Sequence, residues 1–423
     1  MGKNKIPETG IYDARQLGRG RMLLLGFQHM FAMFGATILV PILTGLDVSN
    51  TLLFAGLGTL LFHLITGGKV PAFLGSSFAF LGGYATIAPM LGEQQNIPNL
   101  EMLPYACFGV ACAGLVYVIL AGLFKVFGAK KVMRFFPPIV TGPIIIAIGL
   151  NLSSSAINNC TGSWWIAIAA ILIIVAANIW GKGMIKIIPV LISLIVSYIV
   201  AIIMGAVDFS AVGSANWVGL PNFHLPKFNA DAIVAGLAVA VAAMVEHVGD
   251  VMAIGATCGK NFIADPGLTR TLLGDGIGTS LAGLLGGPAN TTYSENTGVV
   301  ALTRVFDPFV MRIAAVMAII LSLSPKFEAV INSIPAAIIG GISFVLYGMI
   351  AATGIRTIVE NQVDYVNMRN VLITAIILVS GLGFNHKNIV IGSVAFGGLA
   401  CAAVFGIILN AILPGKDYEF KED

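Results

Sequence analysis

Charged residues are scarce in this chain, at 10% of 423 residues. Soluble domains carry about 25%. That deficit, set beside 57% hydrophobic residues, excludes an ordinary globular protein. The net charge of +3 is too small to attract nucleic acid. The five cysteines (Cys107, Cys112, Cys160, Cys258, Cys401) lack metal-ligand spacing, and most sit in apolar runs as small packing residues. No nucleophile–base pair or metal constellation stands out, so an enzyme is not expected, nor is a metal or cofactor. A cleavable signal is not expected either, because the stretch to Arg21 is polar and has no A-x-A-like site. No low-complexity linker marks a second domain.

What the chain has is apolar segments. Runs of 15–25 residues recur from Met22 onward, which makes this an all-helical polytopic membrane protein. Its 50 glycines suit close helix packing in lipid. Fourteen segments are expected, near 21–45, 51–67, 72–92, 103–125, 138–155, 164–181, 187–206, 230–258, 268–287, 290–304, 308–323, 335–355, 369–384 and 389–413. With both termini in the cytoplasm, the positive-inside rule tests this count. Of the 23 Lys and Arg residues, only Lys227, Lys326 and Lys387 then fall outside. One missed span would scramble the alternation.

Two pairs of strings echo each other about half a chain apart. "FQHM" (27–30) resembles "VEHV" (245–248), and each is followed by Gly-Ala-Thr. "PAFLGSSFAF" (71–80) resembles "GPANTTYSEN" (287–296). The paired segments are seven spans apart. Seven is odd, so the second copy is inverted, as in many secondary transporters. Segments three and ten each hold a hydroxyl-rich piece beside Gly or Pro. An extended stretch is expected in each, followed by a half-helix whose free N–H groups face a midplane site.

Ionisable groups inside a membrane are functional candidates by default. His29, Glu246, His247, Asp250 and Glu295 qualify. Glu246 and Asp250 are four residues apart and share a helix face. Two adjacent carboxylates cannot both ionise cheaply in low dielectric, so this pair is a candidate proton carrier. His29 and His247 could instead tie helices together, and Asp250 could cap a broken helix. Phe78 and Tyr293 stand beside the expected breaks, either as packing aromatics or as covers for a ring. Tyr347 is a weaker candidate of that kind. Asp265, Asp275, Asp307 and Asp364 read as loop or cap residues near segment ends. Carboxylates, aromatics and half-helix N–H groups together suit a flat neutral heterocycle with N–H donors and C=O acceptors.

The strings "QHMFAMFGATILVP" (28–41), "GKVPAFLGSSFAF" (68–80), "EHVGD" (246–250), "DPGLTR" (265–270), "NTTYSENTGVVALTR" (290–304) and "YGMIAATGIR" (347–356) resemble the bacterial uracil permeases of the nucleobase–ascorbate transporters, over essentially the whole chain. The resemblance implies a seven-plus-seven inverted repeat with short antiparallel strands in segments three and ten. It implies a core domain (21–127 and 230–323), a gate domain (138–206 and 335–413) that often makes a homodimer contact, and cytoplasmic tails (1–20 and 414–423). It gives Glu246 and Glu295 base-binding roles, Phe78 and Ser294 backbone N–H roles, and Phe78 and Tyr293 places lining the base. The implied activity is uracil import with a proton across the cytoplasmic membrane. Proton coupling would fall to Glu246, Asp250, Glu295 and His29. Ser294 stands where a Gly is often seen, a mild change, and one departure matters more. Uracil permeases carry His where this chain has Asp250, and purine-transporting relatives tend to have Asp there. Xanthine or a broader range is therefore the alternative substrate. A channel or an anion exchanger of the same fold is more remote.

Overall fold

The computed structural model describes residues 10–93, 96–384, 389–391 and 394–415. Residues 1–9 and 416–423 of the expected tails, and Lys3, Lys5, Lys387, Lys416 and Lys421 from the charge count, lie outside the described residues. The chain is predominantly helical. Its first half contains α1 (Arg19–Thr44), α2 (Val48–Ile65), β1 (Leu74–Ser76), α3 (Leu81–Ile87), α4 (Leu103–Phe127), α5 (Pro138–Asn151), α6 (Ser153–Cys160), α7 (Trp164–Trp180) and α8 (Pro189–Ile203). The second half contains α9 (Ala230–Cys258), α10 (Leu268–Leu284), β2 (Asn290–Thr292), α11 (Ser294–Thr303), α12 (Phe309–Ser322), α13 (Pro325–Asn332), α14 (Ala336–Glu360), α15 (Met368–Gly383), β3 (Ile389–Ile391), β4 (Val394–Phe396) and α16 (Gly398–Ile412).

Local chemistry sets many of the boundaries. Asp47 caps α2 by accepting the Asn50 N–H, and Asn229 caps α9 by accepting that of Ala232. Gly45 and Gly259 end α1 and α9 in the left-handed conformation. Among the described residues six helices are long and apolar enough to cross a membrane, or seven if α12 and α13, bent by 85°, count as one span. Large apolar side chains such as Leu115, Ile119, Leu172 and Ile203 are exposed along the helices. Trp164, Trp165 and Trp180 are exposed at the two ends of α7. So much open apolar surface with aromatic ends is what an acyl-chain environment selects. The protein is an integral membrane protein.

The densest helix contacts join α4 to α10 and α9, and α2 to α12 and α10. A second set joins α14 to α5, α6 and α7, and α15 to α16 and α5. Small residues permit the first set: a Cβ on Gly276 would stand 2.7 Å from the Gly114 carbonyl oxygen. Close backbone approach of this kind lets dispersion act over a large area.

The two short strands β1 and β2 pair antiparallel deep in the protein, with Leu74 opposite Thr292 and Ser76 opposite Asn290. All six residues are buried. Each strand passes into a helical piece: β1 into a 3-10 turn (Phe78–Phe80) and α3, β2 directly into α11. Antiparallel pairing sends the two helical pieces off in opposite directions from one crossing. Their N-termini therefore remain beside the strands.

Candidate functional site

The crossing is held by hydroxyl groups. Tyr293 Oη donates to the Ser76 carbonyl at 2.7 Å and lies 3.3 Å from Thr37 Oγ1. Ser76 Oγ donates to the Thr37 carbonyl of α1 at 3.1 Å. Thr59 Oγ1 and Thr279 Oγ1 accept the backbone N–H groups of Leu74 and Asn290. Two strands of three residues cannot satisfy their own edges, and these threonines from α2 and α10 complete the accounting.

Three carboxyl groups meet at this crossing. Glu246 and Asp250 come from α9. Asp250 Oδ2 accepts a hydrogen bond from Thr292 Oγ1 of β2 at 2.8 Å. Glu295 sits in the first turn of α11, where an acidic side chain complements the helix dipole. Glu246, Asp250 and Glu295 are close enough to act on one another electrostatically, and no Lys or Arg among the described residues offsets their charge. Glu246 is exposed on α9. Asp250 and Glu295 are half-exposed and Ser294 is exposed. Phe78 is half-buried, in the turn that packs against α9. The N–H groups of Phe78 and Ser294 open helical turns, where an N–H has no intrahelical acceptor. The structure thus brings Glu246, Asp250, Glu295, Ser294, Tyr293 and Phe78 around one crossing. The Tyr293 ring is 5% exposed and its hydroxyl is committed to the strands.

His29 is fully buried on α1, 3.2 Å through Nδ1 from Asn296 Nδ2. The same amide donates to the His29 carbonyl at 3.0 Å. His29 therefore ties α1 to α11 one residue beyond Glu295, and its Nε2 has no hydrogen-bond partner among the described residues. Tyr347 is buried in α14 where that helix presses on Gly149 of α5.

One expectation is corrected. Asp275 is neither a loop nor a cap residue: it lies within α10, fully buried. Its Oδ2 is 2.9 Å from Nδ1 of the equally buried His247. The pair links α9 to α10 directly behind Glu246, with the Phe62 ring 6.4 Å from the imidazole. The signal was present, because an aspartate amid "LLGDGIGTS" inside an apolar run is costly unless paired. Asp307 and Asp364 do accept backbone N–H groups in loops.

A cavity of about 680 Å³ lies elsewhere, between 41–47, 96–107 and 328–339, and is lined by none of the three clustered carboxylates. Volume alone does not locate the chemistry, and the convergence of half-helix ends with unbalanced carboxylates is the stronger pointer. Among the described residues no cluster of metal-ligating side chains is found.

A permease family model matches residues 20–389. The chain belongs to that family. It is 41% identical over 406 residues to the uracil permease of Bacillus subtilis, covering 92% of this chain and 91% of that one. Identity is 39% over 427 residues to a probable uracil permease of Haemophilus influenzae, covering 99% and 100% of the two chains. A putative pyrimidine permease of Escherichia coli, RutG, is 40% identical over 98% of this chain and 94% of its own. Relatives of this permease are transporters by name, and it is not an enzyme. Its fold is similar to the transmembrane domain of a cyanobacterial bicarbonate transporter, BicA (TM-score 0.63, 17% identity, 96% of this chain and 100% of that one). It is also similar to SLC26A9 (TM-score 0.68, 13% identity, 95% of this chain and 66% of that one).

Proposed function

We propose that this permease imports uracil with a proton across the cytoplasmic membrane by alternating access. The observation that carries the reading is the meeting of Glu246, Asp250 and Glu295 at the ends of two half-helices, with no cation among them. Glu246 and Glu295 accept ring N–H bonds, the Phe78 and Ser294 N–H groups meet ring carbonyls, and Phe78 and Tyr293 flank the ring. The proton resides on the carboxyl cluster, with His29 linking it to α1. Names of relatives at about 40% identity support uracil as the base.

Fourteen spans in a seven-plus-seven inverted repeat, with both termini cytoplasmic, are the arrangement proposed. Segments one to four and eight to eleven form a core domain that carries the base. Segments five to seven and twelve to fourteen form a gate domain that contacts a second copy. A membrane potential of about 100 mV contributes roughly 2.3 kcal/mol per charge, so one proton supports roughly fifty-fold accumulation.

The alternative substrate is xanthine, which Asp250 favours. One experiment separates the readings: uptake of labelled uracil by the purified protein in liposomes under an inward proton gradient, with unlabelled xanthine as competitor. Gradient-driven uptake that xanthine leaves intact is expected, and uptake abolished by xanthine establishes a broader or purine-preferring pocket. No uptake of either base returns the question to anion exchange on this fold. Glu246→Gln is expected to abolish uptake in a folded protein, and parental uptake by that variant would overturn the site.

A further inference from the structure

Residues 10–18 precede the first long helix and lie across the ends of the helices that carry the site. Ile11 makes a parallel bridge with Val305: its N–H donates to the Arg304 carbonyl and its own carbonyl accepts from the Phe306 N–H, both at 2.8 Å. Tyr12 Oη donates to the carbonyl of Cys258, the last residue of α9, at 2.8 Å. The Tyr12 ring meets Phe306 edge-on at 5.3 Å, and Lys260 Nζ lies 4.6 Å above its centroid. The Ala14 N–H donates to Asp307 Oδ2 at 2.7 Å. Ala14, Val305 and Val310 form a small buried core of their own, joined by Ile11 and Leu17. No role in the proposed function calls for these contacts.

The Ile11 and Tyr12 contacts fall at or just beyond the far ends of elements that bear site carboxylates. α9 carries Glu246 and Asp250 and ends at Cys258. α11 carries Glu295 and ends at Arg304. The strap then runs into α1, which carries His29. A helix of ten residues is marginal by itself and takes its orientation from whatever holds its two ends. The strands hold the first end of α11, and the strap holds the second. Freed at the strap, α11 pivots about its strand-held end: over the roughly 15 Å length of ten residues a tilt of about 5° moves the far end by ~1 Å and re-aims the Glu295 side chain at the pivot. Re-aiming of a binding group is what separates productive from unproductive geometry at a tight polar site.

We infer that residues 10–18 are a positioning strap: by joining the end of α9 to the end of α11 they set the angle between the two helices, and so how Glu246 and Glu295 are presented to the base and the affinity for it. Ile11 and Tyr12 are positioning residues that never touch substrate. The inference rests on the proposed function only for the identity of the ligand.

The test uses the full chain with Ile11→Pro, which removes the N–H that meets Arg304, Tyr12→Ala, and Tyr12→Phe, which loses only the hydroxyl. Uracil binding is measured by calorimetry and thermal unfolding is recorded beside it. Affinity is expected to fall roughly three- to tenfold in Ile11→Pro and Tyr12→Ala, with a smaller loss in Tyr12→Phe and an unfolding temperature close to the parent's. A purely structural strap would instead lower the unfolding temperature and leave the affinity of the folded protein unchanged, which overturns the inference. A ligand-free arm keeps the test separate from the identity of the substrate. In a background with the five cysteines replaced, spin labels at Met252 of α9 and Leu302 of α11 report the spacing of the two helices. The distance distribution is expected to broaden in Ile11→Pro, and an unchanged distribution refutes the strap whatever the protein transports.

Discussion

Gly75 is the residue at which the strand crossing can be tested most sharply. It stands in the middle of β1, opposite Thr291. A methyl group there would lie 2.5 Å from Tyr293 Cζ, 2.6 Å from Cε2 and 2.9 Å from Thr37 Oγ1. Ordinary carbon contacts are about 3.5–4.0 Å, so something must move by about 1 Å. The Tyr293 ring cannot simply swing away, because its hydroxyl is held by the Ser76 carbonyl at 2.7 Å. The ring must break that bond or the strands must part. Overpacking of this kind costs about 1–3 kcal/mol. Tyr293 directly precedes Ser294 and Glu295, so the displacement reaches the site along the chain. Gly75→Ala is therefore expected to lower the unfolding temperature and to cut uracil uptake at least roughly tenfold, in keeping with a barrier or binding change of about 1.4 kcal/mol. Purified protein in detergent gives the first measurement and liposome uptake the second. A double variant, Gly75→Ala with Tyr293→Val, makes room for the methyl group and should recover part of the stability, giving a favourable coupling of about 1 kcal/mol in the cycle. Parental stability and uptake in Gly75→Ala would refute the picture of a tightly locked crossing.

Two other predictions concern titratable groups. Asp275→Leu leaves His247 buried without its partner and should destabilise the protein by about 3–5 kcal/mol, whereas Asp275→Leu with His247→Leu should be milder; denaturant titration of both would show whether the order holds. Glu328, on α13 between the proposed spans, bonds Ser49 Oγ at 2.8 Å beside Asp47. Burial, then the neighbouring Asp47 charge, raises its carboxyl above the usual glutamate range. A raised acid holds its proton more tightly in the folded state. Its contribution is thus full at acid pH and is lost as pH rises past the unfolded value and through the raised folded one. Glu328→Gln should flatten the pH dependence of thermal stability across that window, and an unchanged profile would count against a titrating Glu328.

Much of this molecule is legible in the chain itself. The deficit of charge and the recurring apolar runs dictate an integral membrane protein, because a backbone in lipid must satisfy its own hydrogen bonds and helices do so locally. The breaks beside Ser76–Phe78 and Thr291–Tyr293 are visible as hydroxyl-rich stretches next to Gly and Pro, and the chain forms β1 and β2 there. Glu246, Asp250 and Glu295 announce themselves because an ionisable group amid apolar residues is costly wherever it ends up.

Other features depend on partners distant in sequence, which no local pattern encodes. Thr292 bonds Asp250 across 42 residues, Tyr293 bonds Ser76 across 217, and Tyr12 reaches Cys258 across 246. Asp275 was misread because its partner His247 sits on another helix, and burial of the pair follows only from how α9 packs on α10. The short-range physics of helix, cap and hydropathy is written residue by residue, and so the membrane setting, the broken segments and the acidic candidates follow from the chain alone. Which hydroxyl meets which carboxylate, and what pins the far ends of α9 and α11, was decided only when the helices packed, because those contacts exist between surfaces rather than along a chain.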